Sequence, residues 1–369
     1  MIGAQAIPSS TYRVQLRPEF DFARACELVD YLGELGVGAL YASPVLDAVP
    51  GSSHGYDVVD PSRARPELGG EAGRQALARA LRRAGLGFVV DIVPNHMSVA
   101  VPKLNRWWWD VLAHGAGSAY AHYFDIDFSR GKLLIPVLGN DSALSELAVD
   151  PATCLSGSPQ SATAELTYHE HRFPIAAGTS GGSAVEVHER QHYRLVDWRR
   201  GNAELTYRRF FDVTTLAAVR VELPEVFHAT HDEVLRWVSE GSVTGLRVDH
   251  PDGLADPTGY LRRLREHAPD AWLVVEKILA VGETLPASWP VNGSTGYDAL
   301  REISGVFVDP AGARPLTELA EKLGVPTDFA VVEKASRKLV TDKILLAEVR
   351  RIAALVPGVD VSTVDSSTV

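Results

Sequence analysis

Phe88-Val89-Val90-Asp91-Ile92-Val93-Pro94-Asn95-His96 is the stretch that decides the fold. Its first six residues are apolar on both faces of an extended chain except for one aspartate, and Pro94 stops the run. A strand apolar on both faces must be covered on both faces, the condition of a parallel sheet sandwiched by helices. Working outward, comparable runs recur at Tyr12–Leu16, Ala39–Ala42, Gly245–Asp249 and Trp272–Glu276, and a sixth is expected around Ser294–Tyr297. Helical stripes separate them. Asp21 is a candidate N-cap for Ala25, Leu28, Val29, Leu32 and Leu35, with Gly36 as the stop. Leu77, Ala80, Leu81 and Ala84 make a second stripe that ends at Gly85. Further helices are expected from Asp232 to Gly241 and around Tyr260, Leu261 and Leu264.

This rhythm breaks between residues 97 and 243. That segment holds Trp107-Trp108-Trp109 and a Gly/Ser-rich stretch from Gly178 to Ser183, read as a flexible linker. It reads as an insertion domain with its own short strands. The chain therefore divides into a first barrel part (1–96), an insertion (97–243), a continuation (244–310) and a helical segment with a frayed tail (311–369). Within the last, helices are expected over Leu316–Leu323 and from Asp328 to Leu355.

Composition narrows the function. Of 369 residues, 46% are hydrophobic and 22% charged, ordinary for a globular chain. The formal net charge of −11 argues against a nucleic-acid partner, which needs a basic face. The two cysteines, Cys26 and Cys154, do not suggest a disulfide framework. The opening residues lack a signal-peptide pattern, and no apolar run reaches about 18 residues, so a cytoplasmic protein without a membrane span is expected. No GxxxxGK[ST] motif, CxxC pair or calcium-loop spacing occurs, and no metal or cofactor is expected.

Three strands carry a carboxylate at or near their ends: Asp91, Asp249 and Glu276. In parallel α/β folds active sites gather at the carboxyl ends of strands. Arg247, two residues before Asp249, shares its face and can hold it ionised. Glu276 follows the apolar run Trp272–Val275, where desolvation is expected to raise its pKa. One carboxylate kept charged and one kept protonated is what retaining glycoside chemistry requires. Buried ion pairs that merely tie the strand ends are the alternative. In Gly51–Asp57, Tyr56 beside Asp57 suits a sugar site, with an aromatic face for the ring and a carboxylate for its hydroxyls.

These residues carry a resemblance. Asp91–His96, Gly245–His250 and Val275-Glu276 resemble three of the four signature regions of the α-amylase superfamily, glycoside hydrolase family 13. Thr11–Leu16, His54–Asp60, Pro66–Gly70, Tyr207–Asp212, Asp249–Leu254, Glu276–Leu279 and Gly296–Asp298 resemble marks of one transglycosylating branch of it. The resemblance implies a (β/α)8 TIM-type barrel, incomplete in this chain, with an inserted domain after the third strand. It implies Asp249 as nucleophile and Glu276 as general acid/base. Arg247 and His96 would line the reacting-sugar subsite, with Tyr56 stacking there and Asp57 and Asp91 in support. His54, Asn95, His250 and Lys277, within the same motifs, are carried over as substrate-binding.

The implied activity converts the reducing-end α-1,4 bond of a maltooligosaccharide into an α,α-1,1 bond. Such an enzyme must exclude water, and Trp107–Trp109 are candidates for the pocket wall, although core packing is the commoner role. A fourth signature, a His-Asp pair near a seventh strand, is absent. The chain is therefore expected to be an amino-terminal portion, inactive or nearly so alone, with the missing carboxyl-terminal half as its partner. An amylase-type glucan hydrolase and a non-catalytic glucan-binding fragment are the alternatives.

Overall fold

The computed structural model describes residues 7–150 and 164–359; Cys154 and the tail from 360 to 369 lie outside the described residues. Six parallel strands form its central sheet: β1 (Thr11–Val14), β2 (Ala39–Ala42), β3 (Gly87–Ile92), β4 (Gly245–Val248), β5 (Trp272–Val275) and β6 (Gly293–Ser294). Their order across the sheet is their order along the chain. This is the winding of a (β/α)8 barrel carried through six strands. Among the described residues, β1 and β6 each have one neighbour only.

Register decides what faces what. Arg13 lies beside Tyr41, Tyr41 beside Val89, Asp91 beside Arg247, and Arg247 beside Val274. Because strand side chains alternate, Arg13, Tyr41, Asp91, Arg247 and Asp249 fall on one face. The other face carries Leu40, Phe88, Val90, Ile92, Leu246, Val248, Leu273 and Val275, all buried. Burying each of the larger side chains contributes about 1.5–3 kcal/mol.

That apolar face meets the helices. Helices α1 (Phe22–Glu27) and α2 (Val29–Leu35) join β1 to β2, and α3 (Gly70–Arg83) leads into β3. Helix α4 (Pro224–Ser239) precedes β4, and α5 (Pro257–His267) joins β4 to β5. The Asp21 carboxylate caps α1 by accepting from the Arg24 N–H at 2.9 Å, and Gly36 ends α2 at φ +79°. The expected single helix is nevertheless two, because Leu28 donates to Ala25 O, a tightened turn that breaks the ladder. Helix α4 starts eight residues before the expected Asp232, with Pro224 at its first position.

Between β3 and α4 the chain builds small sheets of its own. His96–Ser98 pairs with Val213–Ala218, Leu133–Leu138 with Tyr193–Asp197, and Glu165–Tyr168 with both Ala148–Asp150 and His171–Pro174. Trp107 and Trp108 are core residues of this region. Trp108 is 1% exposed and packs edge-on against Phe124 and Tyr207, at 5.0 and 5.2 Å between ring centres. The pocket-wall reading of these two tryptophans fails for that reason. The Gly178–Ser183 stretch is no loose linker either: Arg190 donates to the carbonyls of Thr179 and Gly181, and Ser183 caps the helix Ala184–Glu189 in a capping box with Glu186.

Beyond β6 the chain is helical: α6 (Tyr297–Gly305), α7 (Ala313–Lys322), α8 (Phe329–Leu339) and α9 (Leu346–Ala353). The sixth strand is shorter than expected, since Tyr297 already begins α6. The long helix expected from Asp328 is interrupted by a π turn at Val340–Ile344, where Thr341 Oγ1 donates back to Arg337 O and Lys338 O. Helix α9 docks on the inserted region: buried Arg209 meets Glu348 at 3.1 Å, and Arg351 meets Asp125 at 2.6 Å.

Candidate active site

At the carboxyl end of the sheet, one guanidinium gathers three carboxylates. Arg247 Nη1 lies 2.8 Å from Asp91 Oδ1 and 2.6 Å from Asp249 Oδ1, and Nη2 lies 3.0 Å from Glu276 Oε1. The ladder explains this. Asp91 and Arg247 are register partners, and Asp249 follows Arg247 by two residues on the same face. Val248 pairs with Val275, and beyond them the Glu276 N–H still donates to Val248 O, so Glu276 comes level with Asp249. Asp91, Arg247 and Asp249 are 2%, 5% and 6% exposed.

Each carboxylate has a different set of donors. Asp91 Oδ2 accepts from Tyr41 OH at 2.9 Å and Tyr56 OH at 2.6 Å, and Arg13 donates to the Tyr56 oxygen at 3.1 Å. Glu276 accepts from Tyr297 OH at 3.1 Å and from the His250 N–H at 3.1 Å. That N–H is aimed by His250 itself, whose φ of +44° is a left-handed conformation that non-glycine residues rarely adopt. The His250 ring packs against Phe210 and Phe211, both 5.0 Å away. Among the described residues, Asp249 has Arg247 alone as a charged donor.

The protonation pattern reverses the expectation for Glu276. Burial does push at that carboxyl, but Arg247 and the His250 N–H outweigh it and hold it below the usual carboxylate range. Asp249 is the raised one: burial and the charge of Asp91 push it up to about 7 against the pull of Arg247. The apolar run before Glu276 was a poor guide, because the side chain leaves that run toward the polar face and its donors. His96 is pushed down to about 3 by burial and is neutral, with its Nε2 3.2 Å from Tyr56 O.

The remaining candidates divide. Asn95 is buried behind the site and accepts from Arg208 at 2.9 Å; Arg208 also donates to Gly253 O and to Asp125. His54 Nδ1 accepts from the Tyr56 N–H at 3.0 Å, and Gly55 takes φ +81° where an added Cβ would sit 2.5 Å from Pro44 O. Asp57 does not face the cluster as a free carboxylate: it accepts from Ser52 Oγ at 2.6 Å and staples its own loop. Tyr56 meets the cluster through its hydroxyl, bound to Asp91. The Lys277 ammonium lies between Asp252 (3.0 Å) and Glu283 (3.1 Å), which accounts for its charge within the loop. Tyr41, Arg13, Tyr297 and Arg208 carried no expected role. The strand pattern could have found Tyr41 and Arg13, which lie on the same face as Asp91. Among the described residues, no group of three His, Cys, Asp or Glu side chains is placed to hold a metal ion, and no helix is long and apolar enough to cross a membrane.

The model of the α-amylase catalytic domain matches residues 21–259, which span β2, β3, β4 and the inserted region. The chain belongs to the α-amylase catalytic-domain family. Within that α-amylase family it is similar to maltooligosyltrehalose synthase of Arthrobacter ramosus, with 52% identity and a TM-score of 0.88 over 94% of this chain and 45% of that one. A structure from Sulfolobus tokodaii, titled as a hypothetical maltooligosyl trehalose synthase, matches at 36% identity and TM-score 0.83 over 98% and 47%. A Mycobacterium tuberculosis protein provisionally named maltooligosyl trehalose synthase is 52% identical over 324 residues, 86% of this chain and 40% of that protein. This α-amylase-family chain thus spans less than half the length of these relatives.

Proposed function

We propose that this chain carries the bond-cleaving part of an enzyme that rearranges the reducing end of maltooligosaccharides into an α,α-1,1 linkage. The observation that carries the reading is the level placement of Asp249 and Glu276 on adjacent strand ends, with Arg247 between them. In this reading Glu276 protonates the scissile oxygen while Asp249 attacks the anomeric carbon, giving a β-linked glycosyl-enzyme. The released glucose turns within its subsite and offers its anomeric hydroxyl, which Glu276 deprotonates as it attacks. Two inversions give net retention. Neutral His96, Asn95, His250 and the Tyr56–Asp91 pair line or brace the reacting-sugar subsite, with His54 shaping the Tyr56 loop.

The pair needs one proton between its two carboxyls, and in the free site burial and the charge of Asp91 favour it on Asp249, the opposite partner. Transfer from Asp249 to Glu276 therefore precedes attack. A sugar oxygen displacing Tyr297 or the His250 N–H from Glu276 would drive it, because those donors hold Glu276 charged. Completion of the sheet by a further polypeptide is part of the proposal, supported by the single neighbour that β1 and β6 each have among the described residues and by the length of the relatives. A cytoplasmic setting is inferred from the cysteine-poor, acidic composition.

The test is mechanism-based trapping. A 5-fluoro-α-glucosyl fluoride should label Asp249, read by peptide mass spectrometry, and Glu276→Gln should slow the labelling. Incubation with maltopentaose separates the classes: loss of reducing ends supports rearrangement, and gain supports hydrolysis. Labelling of another residue, or label-free protein that still turns maltopentaose over, would overturn the assignment.

A further inference from the structure

A cavity lies on the inserted region, and none of its lining residues belongs to the carboxylate cluster. It has a volume of about 430 Å3 and is lined by Arg130, Lys132, Leu134, Glu189, Arg194, Glu204 and Thr206. Separate pieces of chain bring these together. Leu134 and Arg194 are register partners in the parallel pair Leu133–Leu138 and Tyr193–Asp197, so their side chains share a face. Arg130 ends a short 3-10 turn, Glu189 ends the helix Ala184–Glu189, and Glu204 ends the helix Gly201–Glu204.

The charges do not cancel. Glu204 is neutralised from outside the cavity by Arg200 at 2.6 Å. Glu189 is shared loosely with Arg194 at 3.4 Å. Among the described residues Arg130 and Lys132 have no carboxylate partner; each donates to a main-chain carbonyl, of Leu205 and Glu189 respectively. The lining itself carries three cations against two carboxylates, a positive excess on a chain whose formal charge is −11. Thr206, 2% exposed, accepts the Leu134 N–H at 3.0 Å, and its own hydroxyl proton has no acceptor among the described residues. Neighbouring His188 is held neutral by burial, and Lys132 and Arg194 add to that effect.

We propose that this cavity binds a phosphoryl group, carried by a phosphorylated monosaccharide or free as inorganic phosphate. A phosphate monoester is close to a dianion at neutral pH, which matches the sign of the excess charge, and its oxygens suit an Arg fork, a Lys point charge and a hydroxyl donor. The volume leaves room for a sugar ring beside the phosphoryl group. The proposal is independent of the glycosidic reading of the strand-end site.

The test is calorimetric titration of the 369-residue chain with glucose 6-phosphate, inorganic phosphate and glucose, at low salt. Saturable binding of glucose 6-phosphate, with none of glucose, is expected. Equal affinity for inorganic phosphate means the phosphoryl group alone is read, and weaker affinity means the sugar contributes; either supports the site. Arg130→Ala/Lys132→Ala should weaken binding about tenfold or more. Exposed Arg194→Gln, expected to weaken it less, serves if the double variant does not fold, and an unchanged thermal midpoint without ligand shows that folding is intact. No saturation by about 10 mM of either phosphate compound, or affinity unchanged in the variants, would overturn the proposal.

Discussion

Arg247 faces three carboxylates with a single positive charge, and Asp249 is the group that gives way. A carboxyl whose folded-state pKa stands near 7, against about 3.9 in an unfolded chain, binds its proton more tightly when folded. Its contribution to stability is therefore complete below about pH 4 and lost as pH rises through about 7, by an order of a few kcal/mol. Asp249→Asn is expected to raise the thermal midpoint at pH 8 and to change it little at about pH 4 and below, where the folded and unfolded parent both carry the proton. A pH series of melting scans on both proteins checks this, and equal midpoints at pH 8 would contradict the charge crowding. Tyr297→Phe removes a donor to Glu276 and should raise that carboxyl's pKa, readable by carbon-13 NMR of labelled glutamate. His250 was marked by its motif, but its positive φ was not, since that conformation arises from the turn rather than from its side chain.

Strands and helices behave more predictably than single ionisable groups. β2 was readable to its ends because Ala39–Ala42 is an apolar run closed by Ser43-Pro44, and β3 because a buried parallel strand has no other home. The antiparallel hairpin Leu46–Ala48 with Val58–Ala64, which flanks the Tyr56 loop, escaped notice, since Asp60, Pro61 and Ser62 break any alternation. The Arg247–Asp249 pair was legible from spacing and Asp91 from its place near a strand end, whereas Tyr297 reaches Glu276 from α6 and Arg208 reaches Asn95 from the inserted region, long-range approaches that no local window contains. The tryptophans illustrate the same limit: a run of three aromatics does not say which face is inward. Trp108→Ala is expected to cost about 3–5 kcal/mol by opening a cavity against Phe124 and Tyr207. Chemical denaturation measures it, and a loss below about 1 kcal/mol would argue against a core role.

Over the whole molecule, apolar exposure concentrates after β6. Leu316 and Phe329, on α7 and α8, are 66% and 76% exposed, and Val306, Phe307 and Leu323, in the turns after α6 and α7, are 81%, 84% and 71% exposed, with no covering layer among the described residues. Exposed apolar surface of this extent favours association. The chain is expected to bind a hydrophobic dye strongly and to self-associate with rising concentration. Phe307→Lys/Phe329→Lys should reduce both, as followed by dye fluorescence and sedimentation. A monomer that stays dye-silent in the parent would show those faces to be covered.

The strand ladder has one more consequence. Side chains on a strand alternate, so a slip of one residue between β4 and β5 would not loosen the site by a fraction of an ångström; it would turn Glu276 to the helix side altogether. The geometry of the carboxylate pair is thus quantised. It tolerates changes in the length of the loops and of the long excursion between β3 and β4, which lie outside the paired rungs, but it has no intermediate settings. Variation within this architecture is free to remodel what surrounds the pair while the pair itself is either in register or gone.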